Sequence, residues 1–122
     1  MEPNIVEVTK IPLLTENYTR FSHEKDYKFN TPHHFIVQRV SDDEVIAKID
    51  FQEGPIKENG VNGVANEDLL GMILIRLIGL QNSEFKCEEN AKAINLIEET
   101  LKTLRSRTNK RIERGVIGTS IV

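Results

Sequence analysis

Between Leu69 and Leu80, nine of twelve residues are large and apolar, the exceptions being Gly71, Arg76 and Gly79. Wound at 3.6 residues per turn, this segment carries hydrophobic side chains around nearly its whole circumference, so it must be covered on almost every side. A chain of 122 residues has material for one core, and a single neighbouring helix covers only part of a helix's surface. The segment therefore predicts a helix that a second copy of the chain helps to bury, giving at least a homodimer. Asn66 is the expected N-cap, with Glu67 and Asp68 placing negative charge in the first turn.

Gln81 to Phe85 reads as a turn, and a long second helix is predicted from about Glu88 to Glu113, stopped by Gly115. Ile94, Ile97, Leu101 and Leu104 recur at spacings of three and four, the pattern of a seam facing another helix. The same phase reaches Asn90 and Cys87 backwards and Thr108 and Arg111 forwards. A seam that is apolar in its middle thus turns polar at both ends without changing direction. Arg107, four residues before Arg111, flanks it.

Upstream the texture is β-like. Ile5 to Val8, His34 to Val40 and Glu44 to Phe51 read as strands, the last two joined across Ser41-Asp42-Asp43 as a hairpin. Pro12 to Pro32 is polar with Tyr18, Phe21, Tyr27 and Phe29 spaced through it, fitting a long loop or one irregular strand. The expected organisation is a single α+β domain over 1–122. A small N-terminal antiparallel β-sheet occupies a β-rich part (1–53), a turn-rich loop follows (54–65), and a two-helix antiparallel hairpin that oligomerises completes it (66–119).

The net charge of −3 argues against a general DNA or RNA binder, which carries a broad basic footprint. Charge is nevertheless uneven. From Lys102 to Arg114 six basic residues stand against the single acid Glu113, which suits either a solvated helix C-terminus or a local pocket for a small phosphorylated ligand. No basic and apolar leader opens the sequence and no run approaches the ~18 apolar residues of a membrane span, so a soluble, cytoplasmic protein is expected. The single cysteine, Cys87, can form no intrachain disulfide and reads as a packing residue.

An arginine on a buried seam costs several kcal/mol unless an anion or acceptor meets it, whereas at a frayed helix end it reaches water. Both readings stand for Arg111. Asn90 and Arg111 are about 31 Å apart along one helix at 1.5 Å per residue, so one small ligand cannot touch both within a single copy. In an antiparallel two-fold dimer the Asn90 end of one helix lies beside the Arg107 and Arg111 end of its partner, forming two composite sites. Arginine can grip phosphate with two prongs or stack on a base, and asparagine offers a donor and an acceptor to a base edge or ribose, which points towards nucleotides.

Other motifs compete weakly. Gly60-Val61-Asn62-Gly63 is a G-x-x-G, a phosphate clamp in KH domains, but it also serves as a plain turn before Asn66. His33 and His34 are adjacent on a strand and point to opposite faces, which argues against a metal site. No nucleophile motif is present, and the Asp and Glu residues read as solvated faces, so neither catalytic residues nor a cofactor are expected.

Four ordered blocks carry a family resemblance: Phe51 to Gly63, Asn66 to Leu70, Phe85 to Ala91, and Arg107-Thr108 with Arg114 to Thr119. Over Phe51 to Thr119 the sequence resembles the phage Thoeris anti-defence sponges, which share a helical hairpin with the anti-CBASS sponges. The resemblance implies a protein that is not an enzyme and that traps a glycocyclic ADP-ribose immune signal inside the infected bacterial host cell. It also implies a homodimer or higher homo-oligomer with pockets at the interface, and in some relatives binding of cyclic oligonucleotides at separate sites. Ligand binding is carried over to Asn90, Arg107 and Arg111, and further to Phe85, Arg114 and the Gly54 to Gly63 loop. A sponge for CBASS cyclic di- or trinucleotides, an enzyme degrading such a signal, and a nucleic-acid adaptor using the basic helix end are the alternative functions.

Overall fold

A computed structural model describes residues 14–122, and the expected strand at Ile5 to Val8 lies outside them. The chain divides into two compact units, Met1–Val64 and Ala65–Val122. In the first, a 3-10 turn at Leu14–Asn17 precedes strands β1 (Thr19–His23), β2 (His34–Arg39) and β3 (Val45–Asp50), followed by the single-turn helix α1 (Ile56–Asn59). The second holds helices α2 (Asn66–Gln81) and α3 (Glu88–Glu113) and a C-terminal segment without helix or strand.

The three strands form one antiparallel sheet in the order β1-β2-β3. The β2–β3 hairpin closes where expected: Arg39 N–H donates to the Glu44 carbonyl at 2.8 Å, and Asp43 adopts a left-handed φ of 61°, as a tight hairpin turn demands. The aromatic spacing upstream resolves into β1, whose Phe21 ring lies 6.4 Å from Phe35, while Phe35 meets Phe51 edge-on at 5.6 Å. These rings make a short aromatic row across the sheet.

The turn-rich loop is more ordered than its composition suggests. Val64 N–H bonds to the Asp50 carbonyl and Gln52 N–H to the Val64 carbonyl, so the loop returns alongside the end of β3. The two glycines of the G-x-x-G act differently. Gly60 has a φ of 69° with open space around it, whereas a Cβ on Gly63 would stand 2.4 Å from the Phe51 backbone. One is present for its conformation and the other for close approach. Both serve the turn.

In the second unit α2 starts at Asn66, with Ala65 at the N-cap position in place of the expected Asn66. The Asp68 carboxylate accepts the Ala65 N–H at 2.8 Å, so the acid three residues on does the capping. Helix α3 has the expected limits. On it Asn90, Ile94, Ile97, Leu101, Leu104, Thr108 and Arg111 are half-buried while most other positions are exposed, and α2 is the helix against which α3 packs. The apolar middle of the seam therefore faces a helix of its own chain. Cys87 departs from its expected packing role: it is exposed, and its Sγ accepts the Asn90 N–H at 3.4 Å, which makes it the cap of α3.

Helix α2 remains poorly covered. Leu70, Leu74 and Leu77 are half-buried, but Met72, Ile73, Ile75, Ile78 and Leu80 are exposed, Ile75 by 73%. Among the described residues Val116 is the one buried hydrophobic side chain. With 16 residues in α2 and 26 in α3, the antiparallel pair leaves ten residues of α3, the difference, running past the start of α2.

Candidate functional site

That overhanging end of α3 carries the basic cluster. Arg107, Arg111 and Arg114 succeed one another at spacings of four and three, which brings them onto one stripe, and Lys110 lies one turn from Arg107 and Arg114. Beyond Arg114 two glycines with left-handed φ, Gly115 at 70° and Gly118 at 75°, reverse the chain. The segment then returns along α3, with Val116 N–H bonded to the Arg111 carbonyl at 3.1 Å. Between helix and segment lies an open groove of about 770 Å³, lined on the helix by Arg107, Lys110, Arg111 and Arg114 and on the other side by Thr119 to Val122.

No acidic side chain lines this groove. Four cations within two helical turns repel one another, and the acceptors they meet are main-chain oxygens. Arg111 donates to the carbonyls of Ile121 at 2.8 Å and of Val116 and Thr119, each at 3.1 Å. Arg114 donates to a main-chain oxygen of Val122 at 2.8 Å. Arg107 is exposed, with no hydrogen bond or ion pair among the described residues. Arg111 thus follows the first of its two expected courses, in that acceptors meet it, and its own chain supplies them. The side chains that line the groove therefore carry positive charge with no acidic side chain among them.

The second group of expected residues sits at the opposite end of α3. Asn90 is half-buried and its Nδ2 donates to the Phe85 carbonyl at 3.3 Å, while the Phe85 ring is 66% exposed. An exposed ring beside a carboxamide can stack on a base and bond its edge. Since α3 is one continuous helix, this pair and the arginine groove are about 31 Å apart within one chain. The structure brings Phe85 to Asn90, and Arg107 to Arg111 and Arg114, without bringing the two groups together in one copy.

The Gly54 to Gly63 loop belongs to the other unit and spends its polar groups on itself. Gln52 Nε2 donates to the carbonyls of Gly54 and Gly60, and Glu53 and Asn62 exchange two bonds of 2.8 Å. That unit also holds a polar cluster absent from the sequence reading. His34 places Nδ1 2.8 Å from Asp50 Oδ1 and Nε2 3.0 Å from Glu53 Oε2. The hydrogen bond to Asp50 chiefly raises the imidazole's pKa above its usual 6.5; partial burial opposes this, and Glu53 and Glu24 assist. Glu24, read as a solvated acid, accepts the His34 N–H at 3.0 Å. Among the described residues no group of three or more His, Cys, Asp or Glu side chains has the arrangement of a metal site, and no helix is long and apolar enough to cross a membrane.

Sequence reasoning missed Lys110 and the returning segment as parts of the groove. The pair Gly115 and Gly118, flanking Val116 and Ile117, was the available signal for a chain reversal that tucks an apolar residue against the helix.

Two comparisons bear on this arrangement. A family model described as the Acb2/Tad1 hairpin domain matches residues 42–108, which takes in β3, the loop, α2 and most of α3. A protein of Bacillus phage SBSphiJ7 named Thoeris anti-defense 1 is 41% identical over 135 aligned positions, covering 90% of this chain and 95% of its own length. The chain belongs to the Acb2/Tad1 hairpin family.

Proposed function

We propose that this protein is a phage anti-defence sponge: it binds and sequesters a glycocyclic ADP-ribose immune signal without degrading it, and so keeps a Thoeris effector from being activated. The single observation that carries the reading is the groove lined by Arg107, Lys110, Arg111 and Arg114 with no acidic side chain among its lining residues. Such a site suits the pyrophosphate of an ADP-ribose. The relative's name, Thoeris anti-defense 1, supports the biological setting.

The site residues are Asn90, Phe85, Arg107, Arg111 and Arg114. Because the two ends of α3 are too far apart to share one ligand, the complete site is composite: Phe85 and Asn90 of one copy face the arginine groove of its partner in an antiparallel homodimer or a larger assembly of such dimers. The uncovered side chains Met72, Ile73 and Ile75 supply apolar surface for that association. Sequestration requires no general base and no activated water, and the reading is accordingly of a binding protein without catalytic residues or cofactor.

The test is to incubate the purified protein with glycocyclic ADP-ribose, remove free ligand, denature by heat and identify what is released by mass spectrometry. Stoichiometric return of intact ligand supports a sponge. A linear product that accumulates at substoichiometric protein would show an enzyme. Displacement by cyclic di- or trinucleotides instead would make those the preferred ligands.

A further inference from the structure

The acceptors that Arg111 has found bear on how the groove is built. A guanidinium offers five N–H donors and two edges able to grip a phosphate with two prongs, Nη1 with Nη2 and Nε with Nη2. Both edges need an Nη2 hydrogen. In this chain Nη2 donates to two carbonyls, Val116 and Thr119, and Nη1 gives a third bond to Ile121. Neither two-pronged edge is open to an anion while the segment is in place.

We propose that Arg111 is a positioning residue of the site: its guanidinium fixes the segment Val116–Ile121 as the second wall of the groove, leaving Arg107 as the guanidinium that grips the ligand. The inference rests on the sponge reading above and refines the part Arg111 plays in it. Three carbonyls from residues 116, 119 and 121 converge on one planar group, so a stretch with no helix or strand is tied at three points. The Thr119 N–H bonds to the Val116 carbonyl at 3.1 Å and the Ile121 N–H to Thr119 Oγ1 at 3.3 Å, while buried Val116 anchors the start of the segment. Arg114 ties the far end at Val122. Arg107, on the helix side of the same groove, keeps its full set of donors.

Only a planar fork spans these three acceptors. A lysine at 111 keeps the charge but offers its donors from one point, so Arg111→Lys is expected to lose the wall while preserving the local positive charge.

Two measurements test the proposal. In the ligand-free protein, amide hydrogen exchange at Thr119 and Ile121 is expected to rise at least about tenfold in Arg111→Ala and Arg111→Lys and to stay unchanged in Arg107→Ala. Unchanged exchange in the Arg111 variants overturns the proposal, whether or not the protein binds the proposed signal. The second is a double-mutant cycle read by calorimetric titration with glycocyclic ADP-ribose, pairing Arg111→Ala with a chain ended at Gly118, which keeps the Val116 anchor. Arg111→Ala is expected to weaken binding about tenfold in the full chain and less than about twofold in the shortened one, while Arg107→Ala costs the same in both. An Arg111 effect that survives in full in the shortened chain means that Arg111 grips the ligand itself, and overturns the proposal while leaving the sponge reading intact. A wild-type protein that binds no glycocyclic ADP-ribose removes the sponge reading, and the exchange data then decide the role of Arg111 alone.

Discussion

His34 and Asp50 are direct partners in the β2–β3 register, and their side chains also meet, Nδ1 to Oδ1, at 2.8 Å. With Glu53 on the other ring nitrogen at 3.0 Å, the imidazole is held between two carboxylates, and only its protonated form donates to both.

A pH dependence of the β-rich unit follows. The His34 pKa is raised above 6.5 in the folded state, chiefly by the hydrogen bond to Asp50. The stabilisation is therefore fully present below the unfolded value of about 6.5 and is lost as pH rises through the higher folded value. Because the pair is partly exposed, the effect is expected to stay within about 1 kcal/mol. Chemical denaturation near pH 6 and near pH 8.5 should show higher stability at the lower pH, and His34→Gln should flatten the difference.

Gly63 gives a sharper stability test. Its missing Cβ would lie 2.4 Å from backbone atoms of Phe51, which cannot move aside as a flexible side chain would. Gly63→Ala is expected to destabilise the unit by more than about 2 kcal/mol, whereas Val61→Ala, at an exposed site, should stay within about 0.5 kcal/mol. Thermal unfolding of both variants checks the contrast.

Assembly is expected to depend on the outer face of α2. Ile75 is 73% exposed in the single chain, and an aspartate there would carry charge into any interface that covers it. Light scattering at micromolar concentration should find wild type at dimer mass or above and Ile75→Asp at lower mass. A monodisperse wild-type monomer would remove the oligomer from the argument.

Ligand retention should separate from assembly. Arg107→Ala is expected to weaken binding ten- to hundredfold, about 1.5 to 3 kcal/mol for a lost charge-assisted contact, without changing oligomer mass. Mixing Asn90→Ala chains with Arg107→Ala chains puts both lesions into one composite pocket and leaves the other intact. After demonstrated subunit exchange, binding should return in part. No recovery would place each pocket within a single chain.

The sequence made the helices and the hairpin legible because each leaves a periodic trace. The seam from Asn90 to Arg111 has a helical period, and the limits Glu88 and Glu113 are marked by charge and by Gly115. What stayed hidden is held by side chains reaching across sequence to groups without periodicity. Gln52 and Asn62 close a loop, His34 meets Glu53 nineteen positions on, and Arg111 collects carbonyls that any residue type could provide. The same holds within the site. Arginine at 107 and 111 was readable, but which of them remains available depends on a backbone path of which Gly115 and Gly118 mark only the reversal. Cys87 misled because cysteines usually pack, whereas here the sulfur faces the free N–H groups at the start of α3.

The ten residues by which α3 outruns α2 have an evolutionary consequence. Most side chains on that projecting end are exposed, so substitutions at those positions leave the pair's stability largely unchanged while altering the charge and shape of the surface. Exposed positions within residues 104 to 113 are therefore free to change stepwise. The hairpin beneath them would go on folding as before.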